Sequence, residues 1–182
     1  MQHAVRILGV LACAVTLTAC EVERVTFGQT GAALARDRWD PWLDTDRSVY
    51  RAWYTQDRIE LDIGFRFVNR LRQPVAIPGC GHAYRPSLDK LVGGEWVEVL
   101  SYREPCWDEP LVIGVGRERT FLYRIRAGRP HTLIEPQFQT THLPGTYRLR
   151  WEIYEYDAFS QFRIGNLLPT EYRVSNTFRI TD

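Results

Sequence analysis

Arg58-Ile59-Glu60-Leu61-Asp62-Ile63-Gly64-Phe65-Arg66-Phe67-Val68 decides the fold. Its odd positions are apolar, while Arg58, Glu60, Asp62 and Arg66 alternate with them, the period of a strand with one face buried. Downstream, Asn69-Arg70-Leu71-Arg72-Gln73-Pro74 reads as a turn, and Val75-Ala76-Ile77 as a short strand stopped by Pro78-Gly79-Cys80. Residues 88–92 and 95–102 flank Gly93-Gly94, a two-residue hairpin signal. Phe121, Tyr123 and Ile125 share one face of 120–126, and Tyr147, Leu149, Trp151 and Ile153 share one face of 145–156. A last run sets Tyr172, Val174, Phe178 and Ile180 on one side, and residues 49–55 open the series. The pattern predicts an all-β domain over 47–182, an antiparallel β-sandwich of about seven to eight strands. It shows no amphipathic helix, internal repeat or low-complexity tract.

Upstream of this domain the sequence changes character. Residues 20–46 have no sustained periodicity and carry Gly28, Gly31, Pro41 and four aspartates, so they read as a spacer. About 26 extended residues would reach on the order of 85 Å. Trp39 and Trp42 suggest that its second half docks on the domain. Residues 1–19 have one positive charge, Arg6, followed by the apolar run 7–17, too short for a permanent membrane span. The run ends in Leu17-Thr18-Ala19-Cys20, which resembles the bacterial lipobox. The resemblance implies a signal peptide over 1–19, cleavage before Cys20 and acylation of that cysteine. More than one acyl chain holds a protein stably on a membrane. Glu21, where retention in the inner membrane usually takes aspartate, implies the periplasmic side of the outer membrane in a Gram-negative host.

Cys13 lies in the leader and Cys20 in the lipobox, which leaves Cys80 and Cys106. In an oxidising envelope they are a natural pair, closing a loop of about 26 residues worth roughly 3 to 3.5 kcal/mol in the chain-entropy model. Without Arg6, the basic residues balance the 22 acidic ones, so no electrostatic footprint for nucleic acid is present. Lys90 is the only lysine.

Val68-Asn69 after the long strand and Leu143-Pro144-Gly145-Thr146-Tyr147-Arg148-Leu149 entering a late one resemble the immunoglobulin-like domains of bacterial envelope lipoproteins. The latter motif resembles a tyrosine corner, in which Tyr147 returns its hydroxyl to upstream backbone. Cys80 and Cys106 are too close in sequence for the inter-sheet bridge of antibody domains, which argues for a general sandwich. The asparagine turn and the Gly-Thr-Tyr strand also resemble, faintly, the bacterial intracellular proteinase inhibitor family, which is cytoplasmic.

Several residue groups invite chemistry. Cys80, His82, Cys106, Asp108 and either His131 or His142 offer zinc-ligand types, but not the paired short spacing of structural sites. A Cys80 nucleophile with His82 or His142 as base would be abolished by the disulfide. The serines sit in no Gly-x-Ser-x-Gly elbow, and no metalloprotease or phosphate-loop motif occurs. The acidic stretch 37–46 matches no calcium-loop spacing. Most of the six tryptophans are expected in the core, not in a sugar-stacking platform. The loop 158–169 stands out through Phe159, Phe162, Ile164, Leu167 and Leu168, which either bind a partner or cover the end of the sandwich. The expected function is a membrane-anchored, non-enzymatic interaction or structural module with no cofactor or metal. Its expected partners are the membrane, through the N-terminal lipid, and an envelope protein. An inhibitor or accessory protein of an envelope enzyme is the first alternative, and a Cys/His metalloprotein or hydrolase the second.

Overall fold

Thirteen strands and one 3₁₀ turn, with no α-helix, make up the described residues of the computed structural model, which are 42–79, 84–102, 109–160 and 162–182. In chain order the strands are β1 (Leu43–Thr45), β2 (Val49–Arg51), β3 (Trp53–Tyr54), β4 (Arg58–Val68), β5 (Val75–Ile77), β6 (Ser87–Val92) and β7 (Glu95–Leu100). They continue as β8 (Leu111–Ile113), β9 (Glu118–Gly128), β10 (Gly145–Arg150), β11 (Tyr154–Tyr156), β12 (Ile164–Leu167) and β13 (Phe178–Thr181). The all-β expectation holds. The strand count exceeds the seven or eight expected, because three-residue strands carry too little alternation to register in a sequence.

The first sheet is built on β4. It pairs antiparallel with β9 along its whole length, from Arg58↔Gly128 to Val68↔Glu118. Its other edge is shared by β1, opposite Phe65–Phe67, and β3, opposite Ile59 and Glu60. Ile59, Leu61, Ile63, Phe65 and Phe67 are all buried, as their alternation requires. Between β1 and β3 the Asp46 N–H donates to the Gly64 carbonyl (2.9 Å). The Tyr50 hydroxyl donates to Asp46 Oδ1 (2.5 Å) and accepts from the Arg47 N–H (3.2 Å).

The second sheet runs β2-β13-β10-β6-β7, with β2 parallel to β13 and the other pairs antiparallel. The third runs β12-β11-β5-β8. Its strands all come from connections: β5 lies between β4 and β6, β8 between β7 and β9, and β11 and β12 between β10 and β13. The registers Val68↔Glu118 and Arg150↔Ser87 put these connections at one end of the first two sheets. A sandwich-like core joins the layers. Phe65 stacks on Phe121 (5.1 Å, 15°), and both meet Trp151 edge-on at 5.2 and 4.9 Å.

Three expected boundaries change. The run 145–156 is two strands, because the Trp151 N–H donates to the Arg173 carbonyl (2.8 Å) and the Ile153 carbonyl accepts from the Leu168 N–H (2.9 Å). Those groups leave the ladder, so the chain steps from the second sheet to the third. The last strand begins at Phe178, and Tyr172 instead closes the 3₁₀ turn Thr170–Tyr172. The domain begins before residue 47: β1 lies within the expected spacer, Leu43 is fully buried, and Trp42 stacks on Tyr172 (4.4 Å, 24°). Residues 1–41, with the signal peptide and Cys20, and both Cys80 and Cys106 lie outside the described residues.

Candidate functional site

The apolar loop expected at 158–169 is largely a hairpin. Tyr154 pairs with Leu167 and Tyr156 with Ile164, with a register shift between them. Its tip is closed by its own polar groups. Asp157 Oδ1 accepts from the Phe159 N–H (2.9 Å), an Asx-type turn, and the Arg163 N–H donates to the Ser160 carbonyl (3.0 Å). Ser160 Oγ accepts from the Ile164 N–H (3.1 Å) and lies 3.2 Å from the Ile164 carbonyl. Arg163 takes a left-handed backbone (φ 55°), and its guanidinium pairs with Glu109 (3.1 Å), tying the tip to the residues before β8.

This geometry divides the five apolar residues. Leu168 is buried in the core, Ile164 is half-buried, and Phe162 and Leu167 are each about half exposed. Phe159 is 100% exposed at the tip. Leu168 therefore covers the end of the sandwich while Phe159 projects from it. The registers also place Leu167, Tyr154, Ala76 and Val112 in one row across the third sheet, and both ends of that row, Leu167 and Val112, are exposed.

The other sequence candidates do not converge. His131 and His142 are exposed in the 129–144 connection, whereas His82 and Asp108 lie outside the described residues. Among the described residues no group of three His, Cys, Asp or Glu side chains is placed to hold a metal ion. Of the acidic stretch, Asp46 is engaged by Tyr50. The described tryptophans are dispersed: Trp151 is buried, Trp42 stacks on Tyr172, Trp96 lies under the Arg148 guanidinium (4.5 Å), and Trp53 is exposed on β3. No helix among the described residues is long and apolar enough to cross a membrane.

Of two further polar constellations, the first has no counterpart among the sequence expectations and the second was expected only in Tyr147. Asp89, 2% exposed, accepts from Arg148 Nε (3.2 Å) and Arg150 Nε (3.0 Å), and Arg150 Nη2 reaches Glu98 (2.5 Å). This network fastens β6, β7 and β10, and its signal was the arginine pair two residues apart on one strand. The Lys90 ammonium donates to the His142 carbonyl beside the Tyr147 ring, and the Tyr147 hydroxyl donates to the Leu143 carbonyl, the corner expected from Leu143-Pro144-Gly145-Thr146-Tyr147. Comparison with protein-family models, with curated proteins and with solved structures gives no match.

Proposed function

We propose that this chain is a bacterial envelope lipoprotein, lipid-anchored through Cys20, whose immunoglobulin-like sandwich is a non-enzymatic protein-binding module. The observation that carries the reading is Phe159, wholly exposed on a tip that is internally hydrogen-bonded. Preorganised turns bind with little ordering cost, and an aromatic presented on one is a typical anchor. Envelope location rests on the lipobox, and in a Gram-negative host it means the periplasmic side of the outer membrane. A Cys80–Cys106 disulfide belongs to the same reading.

The immunoglobulin-like assignment draws support from strand order. The order β1-β4-β9 matches A-B-E of that fold, and β13-β10-β6-β7 matches G-F-C-C′. The Tyr147 bond to Leu143 falls on the strand equivalent to F. In this correspondence the β11–β12 hairpin is part of the F–G connection, at the end where variable domains carry their binding loops. The third sheet is an elaboration of that end.

Replacing Phe159 in cells by a photoreactive residue tests the binding role. One discrete adduct with an envelope protein is expected, absent when the probe is at Leu122, which is exposed on β9. The purified partner should bind Phe159→Asp at least about tenfold more weakly. The same adducts from both positions, or none, would overturn the reading. The locked tip also favours a second reading, an inhibitor whose Phe159 enters an enzyme pocket. In that case the captured partner is an enzyme that the added domain slows. Cys20→Ser should leave the chain unprocessed and without lipid, and the mass of the unreduced mature chain should lie two daltons below the dithiol value.

A further inference from the structure

At the end of the sandwich opposite the hairpin, the chain crosses from β9 to β10 and leaves a cleft of about 440 Å³. Tyr54, Arg129, Thr141, His142 and Asp182 line it, with Ile59, Leu143 and Pro144 as an apolar wall. The wall formed by 129–144 is held at many points. Gly128 donates to the Pro136 carbonyl (2.8 Å) and accepts from the Phe138 N–H (3.0 Å); a Cβ there would come within 2.5 Å of Thr132 Oγ1. Phe138 is buried, Gln139 donates to the Val99 carbonyl (2.8 Å), and the His142 and Leu143 carbonyls accept from Lys90 and Tyr147. The cleft is thus a preformed feature.

Arg129 is the unexplained group in it. Its backbone is satisfied by Asp57 and Thr132, but among the described residues its guanidinium has no hydrogen-bond acceptor or ion-pair partner, and its Nε is buried without one. The guanidinium lies over the Tyr54 ring (5.3 Å), a cation–π contact that supplies no hydrogen-bond acceptor to its N–H groups. The acidic side chain of the cleft, Asp182, is already engaged as acceptor of the Tyr54 hydroxyl (2.5 Å). A half-buried cation left without an acceptor is costly, and an anion from outside relieves that cost.

We propose that this cleft binds a ligand bearing a single carboxylate, held by Arg129, with its neighbouring atoms against Ile59, Leu143 and Pro144. The Arg129 guanidinium and the Thr141 hydroxyl both face the cleft as donors, and the planar fork of the guanidinium matches a carboxylate in shape. A monoanion adds the least charge to a cleft that already holds the Asp182 carboxylate, whereas a phosphate dianion would set twice that charge against it. The volume fits a free small acid or the last residues of a peptide chain, which share this chemistry.

Ligand-observed NMR titration of the full chain in detergent tests it, with N-acetyl-dialanine as free acid, its C-terminal amide, propionate and inorganic phosphate as probes. The free acid should bind saturably, with the amide and the Arg129→Gln variant at least about tenfold weaker. Propionate equal to the dipeptide assigns the site to small acids, and propionate weaker assigns it to peptide ends; both agree with the proposal. Thr141→Val, at an exposed side chain, should weaken binding severalfold with unchanged thermal unfolding, so a folding defect in Arg129→Gln does not decide the matter. Equal binding of acid and amide, phosphate competing as strongly as the acid, or no saturable binding would overturn it.

Discussion

Gly64 is the only glycine in β4, and what it lacks matters more than what it allows. A Cβ there would lie 2.6 Å from Asp46 Cγ, so the missing side chain is the seat of the carboxylate that Tyr50 grips. Gly64→Ala should expel Asp46 and lower stability by about 1–2 kcal/mol, read from the urea midpoint; the half-exposed position of Asp46 keeps the figure modest. An unchanged midpoint would show that Asp46 contributes nothing there. Tyr147→Phe removes the donor to the Leu143 carbonyl in a buried setting and should cost about 1–3 kcal/mol, also measurable in urea. Tyr147 was legible in the sequence because a tyrosine corner is a local motif, donor and acceptor being four residues apart. Gly64 was not, since alternation places it on the outer face without revealing that β1 and β3 leave a gap opposite it.

Among the elements, the β11–β12 hairpin illustrates both the reach and the limit of periodicity. Its composition marked residues 158–169 as unusual, but four residues alternating weakly around a tight tip do not announce a strand. The tip depends on Ser160, whose hydroxyl bridges to both backbone groups of Ile164. Ser160→Ala should therefore accelerate amide exchange across the tip by about five- to thirtyfold, equivalent to ~1–2 kcal/mol of local opening. The midpoint of global unfolding should move little, because Leu168 still packs in the core. Equal acceleration in β4 would mean that the tip opens only with the whole domain. The long β4 and β9 were the opposite case. Eleven residues each, with one face buried, repeat the pleat often enough to be read from sequence alone.

For the molecule as a whole, the clearest consequence of burial concerns alkaline pH. Burial raises the pKa of Tyr50, Tyr54, Tyr102, Tyr123, Tyr147 and Tyr154 above the ordinary phenol value of 10.0, with Tyr54 pushed up to about 12. Below pH 10 both folded and unfolded chains keep these protons, and the stabilisation is fully present. Above it the unfolded chain releases them first, so stability falls as pH rises toward the folded values. Lys90, whose pKa burial lowers, acts in the opposite sense, but it is one group against six. Urea midpoints should hold from about pH 8 to 10 and drop by about pH 11.5; a flat profile would mean the phenols ionise equally in both states. The sequence by itself determined that the domain is all-β over its described residues and which side chains of the long strands face inward, because the pleat turns alternate residues to opposite faces over a few neighbours. Only tertiary structure decided that three connections assemble a further sheet, that Leu168 covers the core while Phe159 projects, and that Tyr54, Arg129, His142 and Asp182 meet in one cleft. Those outcomes depend on pairings between segments tens of residues apart, and a local pattern of polar and apolar residues carries no record of which distant backbone will satisfy its hydrogen bonds.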